Sequence, residues 1–188
     1  MFSAYKIIHR QSAKHPLIKK FITKYHYLKT VSRGNSHVFC LGVGNKLVGV
    51  AMYGEPVGAK CKAKYGNVIE LKRLALSPRC QKNTASWFMA KCHKMLPKGV
   101  SVLSYADPSQ GHEGTIYKAA NFKYLGVQKY PTQYIKVVGV DKLYPSRVMY
   151  QVIKGKPTKT NVMLKKKQQE GLTKTVYAPK KHIFLYKR

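Results

Sequence analysis

The sequence predicts an α+β (mixed α/β) fold in which a central, mostly antiparallel twisted sheet is flanked by helices. Three observations lead there. The 188 residues, 44% apolar, suit one domain with one core, and at this size about two-thirds of the unfolded surface can be buried, so neither metal nor disulfides are needed to hold it. Candidate elements run strand, helix, hairpin, long strand, helix, strand, helix, strand, with too few strand–helix–strand units for a doubly wound sheet. No repeat of solenoid period appears.

Tyr5 to His9 forms the first candidate strand. Ser12 is a candidate cap for a helix over 15–27, with Pro16 near its start and Leu17, Phe21, Tyr25 and Leu28 on one face. His37 to Val43 and Leu47 to Tyr53 are β-rich runs joined by Gly44-Asn45-Lys46, a hairpin. Gly54 to Gly66, with three Gly, one Pro and three Lys, predicts a loop. Asn67 to Leu76 is a long strand whose alternation points Val68, Glu70, Lys72 and Leu74 one way and Ile69, Leu71 and Arg73 the other. Asn83 or Thr84 caps a helix to Leu96, its apolar stripe supplied by Trp87, Met89, Ala90 and Met95. Val100 to Tyr105 is a short buried strand and Asp107 to Gly111 a turn. A helix over 112–120 and strands over 122–130 and 133–140 follow. Thr158 to Thr175 is polar and Lys-rich and predicts a mobile segment, and Val176 to Tyr186 a terminal strand. Residues 1–140 form the main domain and 141–188 a basic C-terminal extension packed on it.

Charge narrows the function. Thirty-six Lys and Arg against six Asp and Glu give +30, and self-repulsion on that scale calls for a polyanionic partner, nucleic acid by default. Met1 to Val50 carries nine basic residues and no carboxylate, while Lys142 to Arg188 carries thirteen against Glu170 alone. Lys154, Lys156, Lys165, Lys166, Lys167, Lys180 and Lys181 are the candidate phosphate contacts. No apolar run reaches the ~20 residues of a membrane helix, Met1 to Lys20 lacks a signal peptide's apolar core, and no basic amphipathic helix suits a membrane surface. The expectation is an intracellular protein. Cys40, Cys61, Cys80 and Cys92 form no CxxC pair, which predicts reduced thiols rather than zinc ligands.

Four of the six acids, Glu55, Glu70, Asp107 and Glu113, fall in the middle of a chain that otherwise avoids negative charge. Asp107 and Glu70 are the stronger candidates for chemistry, with salt bridging the alternative for each. Asp107 follows the fifth strand, ten residues before Tyr117, and a carboxylate beside a phenol offers a base and an acid, or two oxygen ligands for a metal. The alternative is that Asp107 caps its turn and Tyr117 packs as a core ring. Arg73 is a candidate for fixing a carboxylate or phosphate, Ser104 and Tyr105 lie at the same strand end, and His112 is either a helix-start cap or a metal ligand. Fourteen Tyr among the lysines supply rings for stacking on a base.

The element order resembles the GNAT acyltransferase superfamily. Gln110, Glu113, Ile116-Tyr117 and Asn121-Phe122 echo that superfamily's Asn-x-x-Ala-x-x-Leu-Tyr helix and following Gly-Phe, which puts Tyr117 in register with a general acid for a leaving group. Residues 79–86, RCQKNTAS, fall where the superfamily cradles a pyrophosphate, placing Asn83 and Ser86 at a cofactor site. They contain none of the glycines acetyl-CoA enzymes show there, so ordinary acetyl-CoA use is not expected. ELKRLAL (70–76), KNTASWFM (82–89), SYADPSQGHEGTIYKAANFKYLG (104–126), KYHYLK (24–29), YPSR (144–147) and PKKHIFLY (179–186) resemble the phage Mom-type DNA modification family. Those proteins convert DNA adenine to a carbamoylmethyl (acetamido) derivative and shield phage DNA from restriction. The resemblance implies a transferase acting on the exocyclic amine of adenine in double-stranded DNA in the bacterial host cytoplasm, with Asp107, Tyr117 and Ser104 catalytic and Tyr27, beside His26, lining the cleft. It also implies iron as a cofactor, for which Asp107 and His112 are the candidate ligands. The sequence names neither the group donor nor the target context, and a homodimer is compatible with it. A non-catalytic DNA-binding protein would satisfy the charge alone, and an acyltransferase on a small amine or tRNA the fold alone. The Asp107-to-Tyr117 block argues against the first, and the missing glycines against the CoA form of the second.

Overall fold

The computed structural model describes residues 2–187 other than 59, 151, 154 and 155. In chain order the elements are β1 (Tyr5–Arg10), α1 (Pro16–Tyr25), β2 (Asn35–Val43), β3 (Lys46–Gly54), α2 (Cys61–Tyr65), β4 (Val68–Leu76), α3 (Thr84–Met95), β5 (Ser101–Ala106), α4 (Thr115–Ala119), β6 (Lys123–Val127), β7 (Gln133–Val137), β8 (Leu143–Pro145), β9 (Val152–Ile153), β10 (Lys156–Pro157), α5 (Lys159–Gln169), β11 (Thr173–Tyr177) and β12 (His182–Tyr186). Seven strands form one sheet in the order β1-β2-β3-β4-β5-β12-β6. Its pairings are antiparallel except β4 with β5.

The helices cover both faces. Ile18, Phe21 and Ile22 of α1 pack on Val38, Cys40, Val50, Met52 and Ala75, and Phe88, Met89 and Cys92 of α3 pack on Phe39, Leu41, Ala51, Tyr53 and Leu71. The buried face of α3 therefore runs through Phe88 and Cys92, one position round from the predicted stripe, and Met95 is 44% exposed. Pro16 opens α1, but His15, not Ser12, caps it by accepting from the Leu17 N–H at 3.3 Å. The predicted loop over 54–66 contains the single-turn helix α2.

The predicted extension is no appendage. Its last strand, β12, inserts between β5 and β6, so the sheet is completed by the chain's final residues. Residues 128–181 are thereby an insertion between two neighbouring strands, closed at its neck by Gln128 N–H to Lys181 O (2.9 Å) and Ala178 N–H to Thr132 O (2.9 Å). Inside it, β11-β7-β8 form a second sheet whose Ile135 and Val137 pack with Met149 and Leu164 of α5 in a separate small core. The segment expected to be mobile, 158–175, is instead this helix and the start of β11. Thr158 caps it by accepting from the Asn161 N–H at 3.1 Å, and Asn161 donates back to the Met149 carbonyl. The single terminal strand expected over 176–186 is two strands separated around Pro179, which lacks an N–H for a ladder.

Leu164 is fully buried in that small core. Leu164→Ala should cost roughly 2–5 kcal/mol and release amide protection in 159–177 first, read by hydrogen exchange. Unchanged protection there would show that α5 does not hold the insertion together.

Candidate active site where two strands part

Strands β4 and β5 pair for three residues, from Val68 opposite Ser101 to Glu70 opposite Leu103, and then separate. The separation begins beside a bulge in β4: Met52 of β3 faces Arg73 while the next residue, Tyr53, faces Leu71, leaving Lys72 as the extra residue. Beyond a bulge the alternation inverts. Leu71, Leu74 and Leu76 thus share the α3 side, while Arg73 and Ala75 turn to the α1 side with Glu70. The expectation that Arg73 and Glu70 point oppositely is corrected by this one residue.

The parted strands frame a cleft of about 480 Å³. Its walls are Leu71 to Leu76 of β4, Tyr105 of β5, Tyr25 to Tyr27 at the end of α1, Ala85 of α3, and Gly111 to Tyr117 leading into α4. Lys72 Nζ donates to Arg33 O (2.8 Å), and Arg73 Nε donates to Thr30 O (2.9 Å), so the two bulge residues hold the chain leaving α1. Arg73, predicted to fix an anion, spends its guanidinium on that segment and on the Lys72 carbonyl (2.6 Å) while lining the cleft.

His26, expected from the sequence only as the neighbour of Tyr27, is buried and stacks on the Tyr27 ring at 4.6 Å. Burial, with Arg73 and His112 adding, pushes its pKa down to about 4. Its Nδ1 accepts from the Leu28 N–H (3.1 Å), so the neutral ring carries its proton on Nε2. Burial and the Asp107 charge push the Tyr27 phenol up to about 12. His112 meets Tyr27 edge-on at 5.7 Å from its exposed position in the wall, beside Glu113.

Tyr117 stands in the wall between Phe122 and Phe184, its phenol raised by burial. The Ser104 hydroxyl interacts with that phenol but is fully buried and completes no hydrogen bond, which makes Ser104 a support behind Tyr117 rather than a wall residue. Gly114 positions α4: it sits at φ +83°, and a Cβ there would lie 2.1 Å from Phe184.

Asp107 lies off the wall. Its Oδ1 accepts from the Ser109 hydroxyl (2.6 Å) and N–H (3.1 Å), and its Oδ2 pairs with Lys181 Nζ at 3.1 Å. Burial works to raise its pKa, but the Ser109 hydrogen bonds and the Lys181 charge outweigh it and hold the carboxyl below the ordinary value. The structure thus shows the turn-capping arrangement, and Lys181, predicted to contact phosphate, is that carboxylate's partner. Glu70 accepts from the Val57 N–H at 2.9 Å; burial raises its pKa against that bond and the nearby cations. Tyr105 reaches Cys61 Sγ at 3.8 Å. Asn83 and Ser86 do not line the cleft. Asn83 supplies the positive φ (66°) ahead of α3, and Ser86 donates back to its carbonyl at 3.1 Å.

The donor set does not fit the iron the resemblance implied. Among the described residues no three His, Cys, Asp or Glu side chains gather, and both Asp107 oxygens are engaged. Of the predicted DNA-contacting lysines, Lys156, Lys165, Lys166 and Lys180 are exposed, Lys167 pairs with Glu170 at 2.7 Å, and Lys154 lies outside the described residues.

A Bacillus subtilis acetyltransferase in complex with CoA is similar across 98% of this chain and 99% of its own, at TM-score 0.51 and 9% identity. A GNAT family acetyltransferase from Bacillus cereus follows at 0.49 and 12%, covering 97% of this chain and 98% of its own. An aminoglycoside acetyltransferase in complex with coenzyme A and kanamycin stands at 0.48 and 12%, over 65% of this chain and 87% of its own. Curated protein sequences give no match. With the parted parallel pair, the first likeness defines the class: this is a GNAT-like fold. The chain belongs to the Mom protein family, whose model matches residues 5–187.

Because its folded pKa is depressed, Asp107 stabilises the fold fully above the ordinary aspartate value of 3.8, and that contribution fades as pH falls through the lower folded value. Lys181→Ala should move the Asp107 titration upward in a carboxyl-resolved NMR experiment, and its stability deficit at neutral pH should vanish in acid. An unmoved titration would show that the two groups are not paired.

Proposed function

We propose that this chain is a phage-encoded DNA modification enzyme that converts adenine in DNA to its carbamoylmethyl derivative, protecting phage DNA from restriction in the bacterial host. The observation that carries this reading is the tyrosine-lined cleft between β4 and β5 in a Mom-family chain of net charge +30. Its volume is in the roughly 300–1,000 Å³ range of small-ligand pockets, suiting one purine rather than a duplex, so the target adenine leaves the base stack to enter. Tyr25 and Tyr27 offer rings against which it can lie.

Adenine's exocyclic amine is a weak nucleophile because its lone pair is delocalised into the ring. Forming the new N–C bond to the donor's methylene carbon therefore needs an acceptor for an amine proton and a proton for the leaving group. Tyr117 is assigned to the leaving group, since its phenol stands in the cleft wall and is protonated at neutral pH. His112, at the mouth beside Tyr27, is assigned to take the amine proton. His26 and Tyr27, both kept neutral, serve as fixed hydrogen-bond donors for the incoming base. Asp107 acts as a positioning residue: its carbonyl accepts from the His112 N–H at 3.2 Å and its carboxylate anchors the same turn. No step is assigned to iron or to acetyl-CoA. The charge taken alone favours a DNA-binding protein without chemistry, and the test below separates the two readings.

Nucleosides from DNA of bacteria expressing this chain should include a carbamoylmethylated adenine by mass spectrometry. Tyr117→Phe should lower its yield by about 10²-fold or more while leaving DNA affinity near wild type. DNA left unmodified by the wild-type chain would overturn the reading, and full modification by Tyr117→Phe would remove that phenol from the mechanism.

A further inference from the structure

We propose that the outer face of the insertion's three-stranded sheet, centred on Lys136 and Lys174, is the surface on which duplex DNA docks beside the cleft. This rests on the reading of DNA as the partner and adds to it the place of contact.

The register makes the face. Ile135 and Val137 turn inward to the small core with Leu164, so alternation sends Tyr134, Lys136 and Val138 outward. Across the ladder Lys136 stands directly opposite Lys174, Tyr134 opposite Val176, and Lys136 on its other side opposite Leu143. Directly opposed residues bring their Cβ atoms within about 5 Å, and like charges there oppose pairing. Both lysines are exposed, and neither is in any of the ion pairs found among the described residues. The insertion's thirteen basic residues are met by two acids: Asp141, in the turn between β7 and β8, and Glu170, already bound to Lys167. A phosphate lying over the pair would turn the repulsion into two favourable contacts. The rest of the face is not covered either: Val138 is 57% exposed, Leu143 47%, and Tyr130, at the neck, 70%.

Placement ties this face to the site. At the neck, Lys181 joins the insertion to Asp107 at 3.1 Å. The lysines that composition first suggested, Lys165 and Lys166, sit on α5, which covers the opposite face of the same sheet and so looks away from this surface.

The test measures binding of a fluorescent duplex by the full chain across salt concentrations. Each phosphate contact contributes about 0.9 to the slope of log affinity against log salt. Lys136→Ala with Lys174→Ala should therefore reduce the slope by about 1.8 and weaken binding at least about tenfold near 0.1 M salt. Lys165→Ala with Lys166→Ala should change affinity less than about twofold. Because the first pair removes a repulsion, its thermal midpoint should equal or exceed wild type, so lost binding cannot be ascribed to unfolding. Wild-type affinity and slope in the Lys136/Lys174 variant, or an equal loss in the α5 variant, would overturn the docking surface while leaving DNA as partner. No duplex binding by the wild-type chain, or tighter binding of structured RNA through the same two lysines, would overturn the DNA reading itself.

Discussion

Lys72 is one residue more than the β3–β4 ladder can pair, and the cleft depends on where that surplus falls. Ahead of it β4 is bonded to β3 on one side and β5 on the other; past it β4 keeps its pairing with β3 alone, while β5 runs on held only by β12 along its other edge. The inversion that follows gives Arg73 to the α1 side, and there Lys72 and Arg73 each bond the backbone of residues 30–34. Gly34 in that segment approaches Gly54 so closely that a Cβ on Gly54 would lie 1.9 Å from the Gly34 carbonyl oxygen. The segment follows His26 and Tyr27 directly, so the bulge both opens the cleft and fixes the rings that furnish one wall. The opposite wall is set by Asp107, whose side chain and carbonyl hold residues 109–112 ahead of α4.

Electrostatics constrains the same region. In a chain of +30 each carboxylate has many possible cations, yet the acids hold particular pieces of backbone. Glu70 secures the loop after β3 through Val57, and Asp107 secures the turn after β5 while pairing with the lysine that returns the insertion to the sheet. Glu55 with Lys62 and Glu170 with Lys167 are exposed or half-exposed pairs of the kind worth little on their own. The buried Asp107 and the half-buried Glu70 therefore hold backbone in place, while the 36 Lys and Arg leave a large surplus of cations over the six acids. No helix among the described residues is long and apolar enough to cross a membrane.

Elements marked by strong local chemistry were legible in the sequence. Gly44-Asn45 announced the hairpin, Pro16 the start of α1, and the short run Val100 to Tyr105 the buried strand, which the structure places at Ser101–Ala106. A bulge leaves no such mark, since NVIELKRLAL alternates well enough to read straight through Lys72, and the inverted side of Arg73 followed unseen. The helix α5 was hidden because its exposed positions are mostly lysine and glutamine; the cap at Thr158 with Leu164 six residues on was the available signal. The site was half legible. SYADPSQGHEGTIY contained both the capped turn and the cleft-facing His112 and Tyr117, but whether the Asp107 carboxylate faced the cleft or its own turn depended on Lys181, more than seventy residues away in sequence. Glu113 reaches the wall only because the turn held by Asp107 presents it. The burial that makes His26 a neutral donor likewise arises from tertiary packing.

Under the proposed function, the space between the parted strands receives the target base. Photocrosslinking with duplex DNA carrying 8-azidoadenine, followed by peptide mass spectrometry, tests it most directly. Adducts are expected on Tyr25 to Tyr27 and on Gly111 to Tyr117. Adducts confined to α5, or to the far side of α1 around Leu17 and Lys20, with none on those two segments, would contradict it.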